Sequence, residues 1–158
     1  MLTISSTRFK ENALIPQAYT CDGENTSPAL SFRGTPEGAK SLVLIMDDPD
    51  IPQSVKDRLH VDVIDHWVVF DIPSPASGAV EIEDGATPPG IQGNNTHGSA
   101  SYLGPCPPDR EHRYFFKLYA LDRMLELFEG ATRVEVERAI HGHVLESAEL
   151  IGRYERPH

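Results

Sequence analysis

Three stretches of the chain are strongly apolar and too short to be anything but strands. Ser41–Met46 is an unbroken apolar run that stops at Asp47-Asp48-Pro49, His66–Ile72 is a second that stops at Pro73, and Arg113–Leu121 is the longest. Each is rich in β-branched or aromatic residues and bounded by turn formers, the signature of a strand. Leu2–Ile4, Ala29–Phe32 and Gly78–Ile82 repeat the pattern more weakly. Near the C-terminus the period changes. Thr132-Arg133-Val134-Glu135 reads as a capping box, and Val136, Ala139, Ile140, His143 and Val144 then recur at helical spacing. Residues 148–154 either extend that helix or close the fold as a strand. The pattern predicts one domain over residues 1–158, mainly β: a two-sheet sandwich with one or two short helices.

Composition agrees with a turn-rich fold, with 12 glycines and 13 prolines in 158 residues. Fourteen Lys and Arg face 24 Asp and Glu, a formal net charge of −10. Such a surface repels nucleic acid and anionic membranes, so neither is an expected partner. No apolar run approaches the roughly eighteen residues of a membrane-spanning helix. The start of the chain lacks the charged and apolar regions of a secretory leader, which leads to a cytoplasmic expectation. Cys21 and Cys106 are too few for a disulfide framework. A bridge between them would stabilise by about 4–5 kcal/mol on loop entropy. The sequence leaves open whether it forms.

Candidate chemistry gathers at three places. Asp48-Pro49-Asp50-Ile51-Pro52 follows the first strong strand. Proline fixes φ and stops the ladder, leaving either a solvated turn or a stiff ledge that holds two carboxylates at a strand end. His66 opens the second strand beside Asp65 and Trp67. An approaching carboxylate would raise its pKa and create a local anion site. Third, in Gly104-Pro105-Cys106-Pro107-Pro108 only Gly104 and Cys106 keep a backbone N–H, and those donors are free to face a ligand. His112-Arg113-Tyr114 follows and opens the aromatic strand.

These motifs, in this order, resemble the phosphatidylethanolamine-binding protein family, and most closely its short bacterial and archaeal branch, often described as Raf-kinase-inhibitor-like. Cys21–Leu30 and Phe115–Asp122 are similar to that branch as well, so the likeness runs from about Phe9 to Tyr154. The resemblance implies a Greek-key sandwich of two antiparallel sheets with a small anion pocket at one end. It places Asp48, Asp50, Pro52, His66, Cys106, Pro107, His112 and Tyr114 at that pocket, with Gly104 from the loop reading. His66, the Tyr114 hydroxyl and the Cys106 amide would donate to phosphate, a phosphoethanolamine-type headgroup or a carboxylate. Asp48 would hold or charge a donor, or accept from an ammonium; Pro52 and Pro107 would be walls. Ile64 and Ile51 depart from the common aromatic and alanine of the family. Residues 53–63, with Lys56, Arg58 and His60, are longer than in many short members. No C-terminal helix over the pocket is evident after Tyr154.

The expected function is non-catalytic small-anion binding without a cofactor, modulating a protein partner such as a kinase or protease. Exposed sandwich edges leave room for a homodimer. The alternative is a hydrolase of esters or phosphoesters, with Asp48, His66 and Cys106 as acid/base and nucleophile. It lacks G-x-S-x-G, H-E-x-x-H and P-loop motifs. A metal site of Asp48, Asp50, His66 and His112 ranks below both.

Overall fold

The computed structural model describes residues 1–157. Its strands are β1 (Thr3–Ser5), β2 (Leu30–Arg33), β3 (Ser41–Asp48), β4 (Ile64–Pro73), β5 (Ala79–Ile82), β6 (Ile91–Gly93), β7 (His112–Leu121) and β8 (Val144–Tyr154). They form two antiparallel sheets, ordered β1-β2-β5 and β6-β4-β3-β7-β8. All six strands read from the sequence are present. β6 is an addition, three residues long and set among prolines and glycines that mask its pattern.

The apolar runs lack alternation because the large sheet is covered on both faces. Leu42, Leu44 and Met46 of β3 pack between the sheets with Phe32, Trp67, Val69, Phe116 and Leu118. Val43 and Ile45 point the other way, onto Val68, Phe70, Leu121, Val136 and Ile140. That outer cover comes from residues 125–131 and from helix α2 (Arg133–Ile140). The α2 capping box forms as read, with the Thr132 hydroxyl accepting from Glu135 N–H and Glu135 reaching back to Thr132. The helix is shorter than its periodicity. It stops at Ile140, Gly142 turns at φ +79°, and His143 and Val144 leave the helical face to start β8. Residues 148–154 are therefore strand. They pair with β7 across their whole length, a ladder that outcompetes an exposed helical extension.

A second helix, α1 (Gln53–Leu59), occupies the stretch between β3 and β4. Pro52 precedes it in extended geometry, and His60 ends it in the left-handed region at φ 56°. None of its residues is buried, so tertiary packing does little to hold it.

Candidate functional site

At one end of the sandwich the C-terminus of β3 meets the N-termini of β4 and β7. Residues 21–25, α1 and loop 103–109 close around them. The result is an open cavity of about 850 Å³. Of the residues read from sequence, Asp48, Pro52, His66, Gly104, Cys106, Pro107 and Tyr114 line it. Asp50 and His112 do not.

His66 arrives by a break in the β3–β4 register. Met46 pairs with Trp67 and Asp47 with Asp65, which leaves His66 as the extra residue of a β-bulge. Strict alternation would turn His66 away from the side that Trp67 occupies. The bulge instead puts both on the inner side, where the His66 ring meets the edge of Tyr114 at 5.2 Å. The His66 carbonyl accepts from Leu103 N–H at 2.9 Å. Its Nδ1 lies 2.6 Å from the Leu103 carbonyl, which only accepts, so Nδ1 carries a proton. Burial lowers the His66 pKa, and this outweighs the Leu103 bond and the nearby Asp48 charge. The expectation of a His66 imidazolium is thus corrected: the ring is neutral, and Nε2 is left with a lone pair.

The imidazolium is His112. Only 1% of its side chain is exposed, and it is gripped from both sides, with Nδ1 2.7 Å from Asp48 Oδ2 and Nε2 2.6 Å from Asp109 Oδ1. Burial works against the charge, yet the two carboxylates prevail and the pKa rises. A ring whose nitrogens both donate to carboxylates has no donor left for a ligand. It stands behind Asp48, whose Oδ1 also accepts from Asp50 N–H at 2.8 Å. Asp48 thus holds an imidazolium whose own donors are both spent on carboxylates, rather than a donor that faces the cavity.

Asp50 is turned outward into a clamp. Its carboxylate takes the Arg113 guanidinium at 2.8 and 2.9 Å and the Arg113 amide at 2.8 Å, which lowers its pKa to about 2. It ties the end of β3 to the start of β7 and lies outside the cavity lining. With Asp50 and His112 so engaged, the four residues considered for a metal do not converge. Among the described residues no group of three metal-ligating side chains does.

Tyr114 stands at the cavity floor with none of its surface exposed, and its hydroxyl has no hydrogen-bond partner. Burial raises its pKa, so it remains a neutral donor. Beside it, Gly104 and Cys106 keep N–H groups that donate to nothing among the described residues. Gly104 is required by close approach. A Cβ there would collide with Asn25 Oδ1 and sit 2.8 Å from the Tyr19 carbonyl oxygen. We expect Gly104→Ala to cost about 1–3 kcal/mol through overpacking, seen as a lower urea midpoint at unchanged slope. An unchanged midpoint would show that the loop gives way freely.

Cys106 is bonded to Cys21, with Cα atoms 5.4 Å apart, which answers the question the sequence left open. A bridged sulfur is not a thiolate, and His66 Nδ1 is committed to Leu103. The bridge therefore occupies the sulfur that the hydrolase reading takes as its nucleophile, while His66 Nε2 keeps its lone pair. Sequence reasoning missed the remaining walls. Val55, Arg58 and Leu59 of α1 share one helical face toward the cavity, and Asn25, Leu103 and His97 complete it. The i, i+4 pair of Val55 and Leu59 was the available signal. Ile51 and Ile64, the two departures from the family pattern, both line the cavity.

Residues 5–155 match the family model described as phosphatidylethanolamine-binding protein. The chain belongs to this family. A UPF0098 protein of Methanothermobacter thermautotrophicus is 48% identical over 158 residues, covering 98% of this chain and 99% of that one. A UPF0098 protein of Chlamydia trachomatis is 43% identical over 156 residues, with the same coverage. Among solved structures, a phosphatidylethanolamine-binding protein homologue from Chlamydia trachomatis aligns with a TM-score of 0.91 at 41% identity, covering 99% of this chain and 98% of that one. Escherichia coli YbcL, described as a member of the mammalian phosphatidylethanolamine-binding protein family, aligns at 0.84 with 28% identity and 99% of both chains. The two antiparallel sheets and two helices are thus the fold of the family. Among the described residues no helix is long and apolar enough to cross a membrane.

Proposed function

We propose that this family member is a non-catalytic binding protein for a monoprotonated phosphate or phospho-headgroup, and that through this ligand it modulates a protein partner of the kinase or protease kind. The buried, unpartnered Tyr114 hydroxyl carries the reading. Leaving such a donor unsatisfied costs about 1–3 kcal/mol, a cost that a ligand oxygen removes. The Gly104 and Cys106 amides add two donors. In the same cavity, neutral His66 Nε2 and the Asp48 carboxylate are acceptors. A ligand suited to this floor must accept and donate together, as a phosphate monoanion or a phosphate with an attached ammonium does. The apolar walls from Ile51, Val55, Leu59 and Leu103 suit a hydrocarbon body beyond the head.

The test is an amide NMR titration with inorganic phosphate and phosphoethanolamine on wild type and His66→Ala. Saturable shifts at Gly104, Cys106 and Tyr114, weakened in the variant, are expected; none at millimolar ligand would remove the site. The same titration across pH carries a sign. A phosphomonoester loses its second proton at about pH 6. Once its second proton is lost, a phosphate that carries no ammonium faces the His66 lone pair and Asp48 without a proton to share, so the affinity for inorganic phosphate should fall as pH rises, while phosphoethanolamine keeps its ammonium donor. Constant affinity would show that neither acceptor meets the ligand.

A further inference from the structure

The Cys21–Cys106 bridge lies at the mouth of the cavity, both of its residues line that cavity, and both are exposed. At one end of segment 103–108, Leu103 is fixed to the sheet by the reciprocal pair with His66, and next to it the Tyr102 hydroxyl donates to the Tyr19 carbonyl at 2.7 Å. Past the other end, Asp109 is held by His112 at the start of β7. Between these ends the segment is tied to residues 19–25, which belong to neither sheet, by the bridge and by the Cys21 N–H donating to the Pro105 carbonyl at 3.1 Å. Pro105, Pro107 and Pro108 have no N–H with which to replace a lost tie. The two free amides of Gly104 and Cys106 thus lie on a span anchored at both ends, whose middle is held against residues 19–25 by a reducible tie.

We propose that this bridge is a thiol-exchange site and that its reduction by a dithiol reductant loosens the amide pair and weakens the pocket's hold on phosphate. The inference rests on the anion-pocket reading. In the exchange a reductant thiolate attacks one sulfur of the bridge to form a mixed disulfide and expel a protein thiolate. The second reductant thiol then resolves that intermediate. The protein gains two protons and two electrons and ends with two thiols, while the reductant ends as its own disulfide. Linkage makes the coupling reciprocal: whatever factor oxidation adds to phosphate affinity, phosphate adds to the resistance of the bridge against reduction.

The experiment follows amide shifts of oxidised and fully reduced wild-type chain during titration with inorganic phosphate. In parallel, the oxidised fraction is measured by thiol alkylation in dithiothreitol redox buffers, with and without saturating phosphate. The reduced chain is expected to keep a dispersed amide spectrum and to bind about fivefold or more weakly, with phosphate shifting the redox midpoint by the same factor. The Cys21→Ser/Cys106→Ser double variant should bind like the reduced chain and ignore dithiothreitol. Equal affinity in both redox states would overturn the exchange proposal while leaving the pocket in place. Absence of binding by the oxidised chain would overturn both. Collapse of the amide spectrum on reduction and in the double variant would make the bridge a folding requirement and also overturn the proposal.

Discussion

Replacing Tyr114 by Phe should move stability and binding in opposite directions. In the free protein the hydroxyl is fully buried and makes no hydrogen bond. Its removal relieves a desolvation cost, so the variant should be more stable by about 1 kcal/mol or more, read as a higher urea midpoint. The ring itself remains, with its edge contact to His66 and its stacking on His112 at 6.4 Å, so packing is preserved. Binding should suffer instead. A hydrogen bond to a charged group contributes about 1.5–3 kcal/mol, and phosphate affinity should drop roughly 10- to 150-fold. Few residues in a core can stabilise a protein by losing an atom and weaken its binding by the same loss. A variant that binds phosphate like wild type would show that the hydroxyl does not reach the ligand. A variant less stable than wild type would show that a buried water already satisfies it.

The Asp48–His112 pair should produce the largest loss of stability. Removing one member of a buried ion pair strands the other, and Asp48→Ala is expected to cost about 3 kcal/mol. The estimate sits at the low end for such pairs because Asp109 still holds Nε2. Asp50 N–H also loses its acceptor. Asp109→Ala, at the more exposed end of the triad, should cost well under half as much. A pH dependence follows with a fixed sign. The folded pKa of His112 is raised above its ordinary 6.5, so the imidazolium contributes in full below that value. The contribution is lost as pH rises through the folded pKa. Chemical denaturation of wild type and Asp48→Ala at about pH 6 and at about pH 9 should show the gap between them narrowing on the alkaline side. A gap that widens with pH would mean that His112 is neutral in the folded chain. His66 works in the opposite sense, since its lowered pKa favours the fold above 6.5 and is felt only as pH falls. The comparison at alkaline pH is therefore free of it.

The sequence by itself determined the strands, the cap of α2, the family and the address of the pocket. These rest on local signals: apolar runs cut by Pro49 and Pro73, the reciprocal caps of Thr132 and Glu135, and three proline-rich motifs in order. Tyr114, Gly104 and Cys106, named from the sequence, all line the cavity, and the two amides of the loop are unclaimed because proline removes the neighbouring donors whatever the fold around them. What only the tertiary structure decided is which polar group faces the cavity and in what charge state. Asp48 and Asp50 stand two positions apart, yet one enters the pocket and the other binds Arg113. His66 and His112 look alike in the sequence, but burial against a carbonyl makes one neutral and two carboxylates make the other an imidazolium. The register break that brings His66 to the inner side depends on the pairing of β3 with β4, residues far apart along the chain. Charge state and facing are set by neighbours within a few ångströms, and those neighbours come together only when the sheets form.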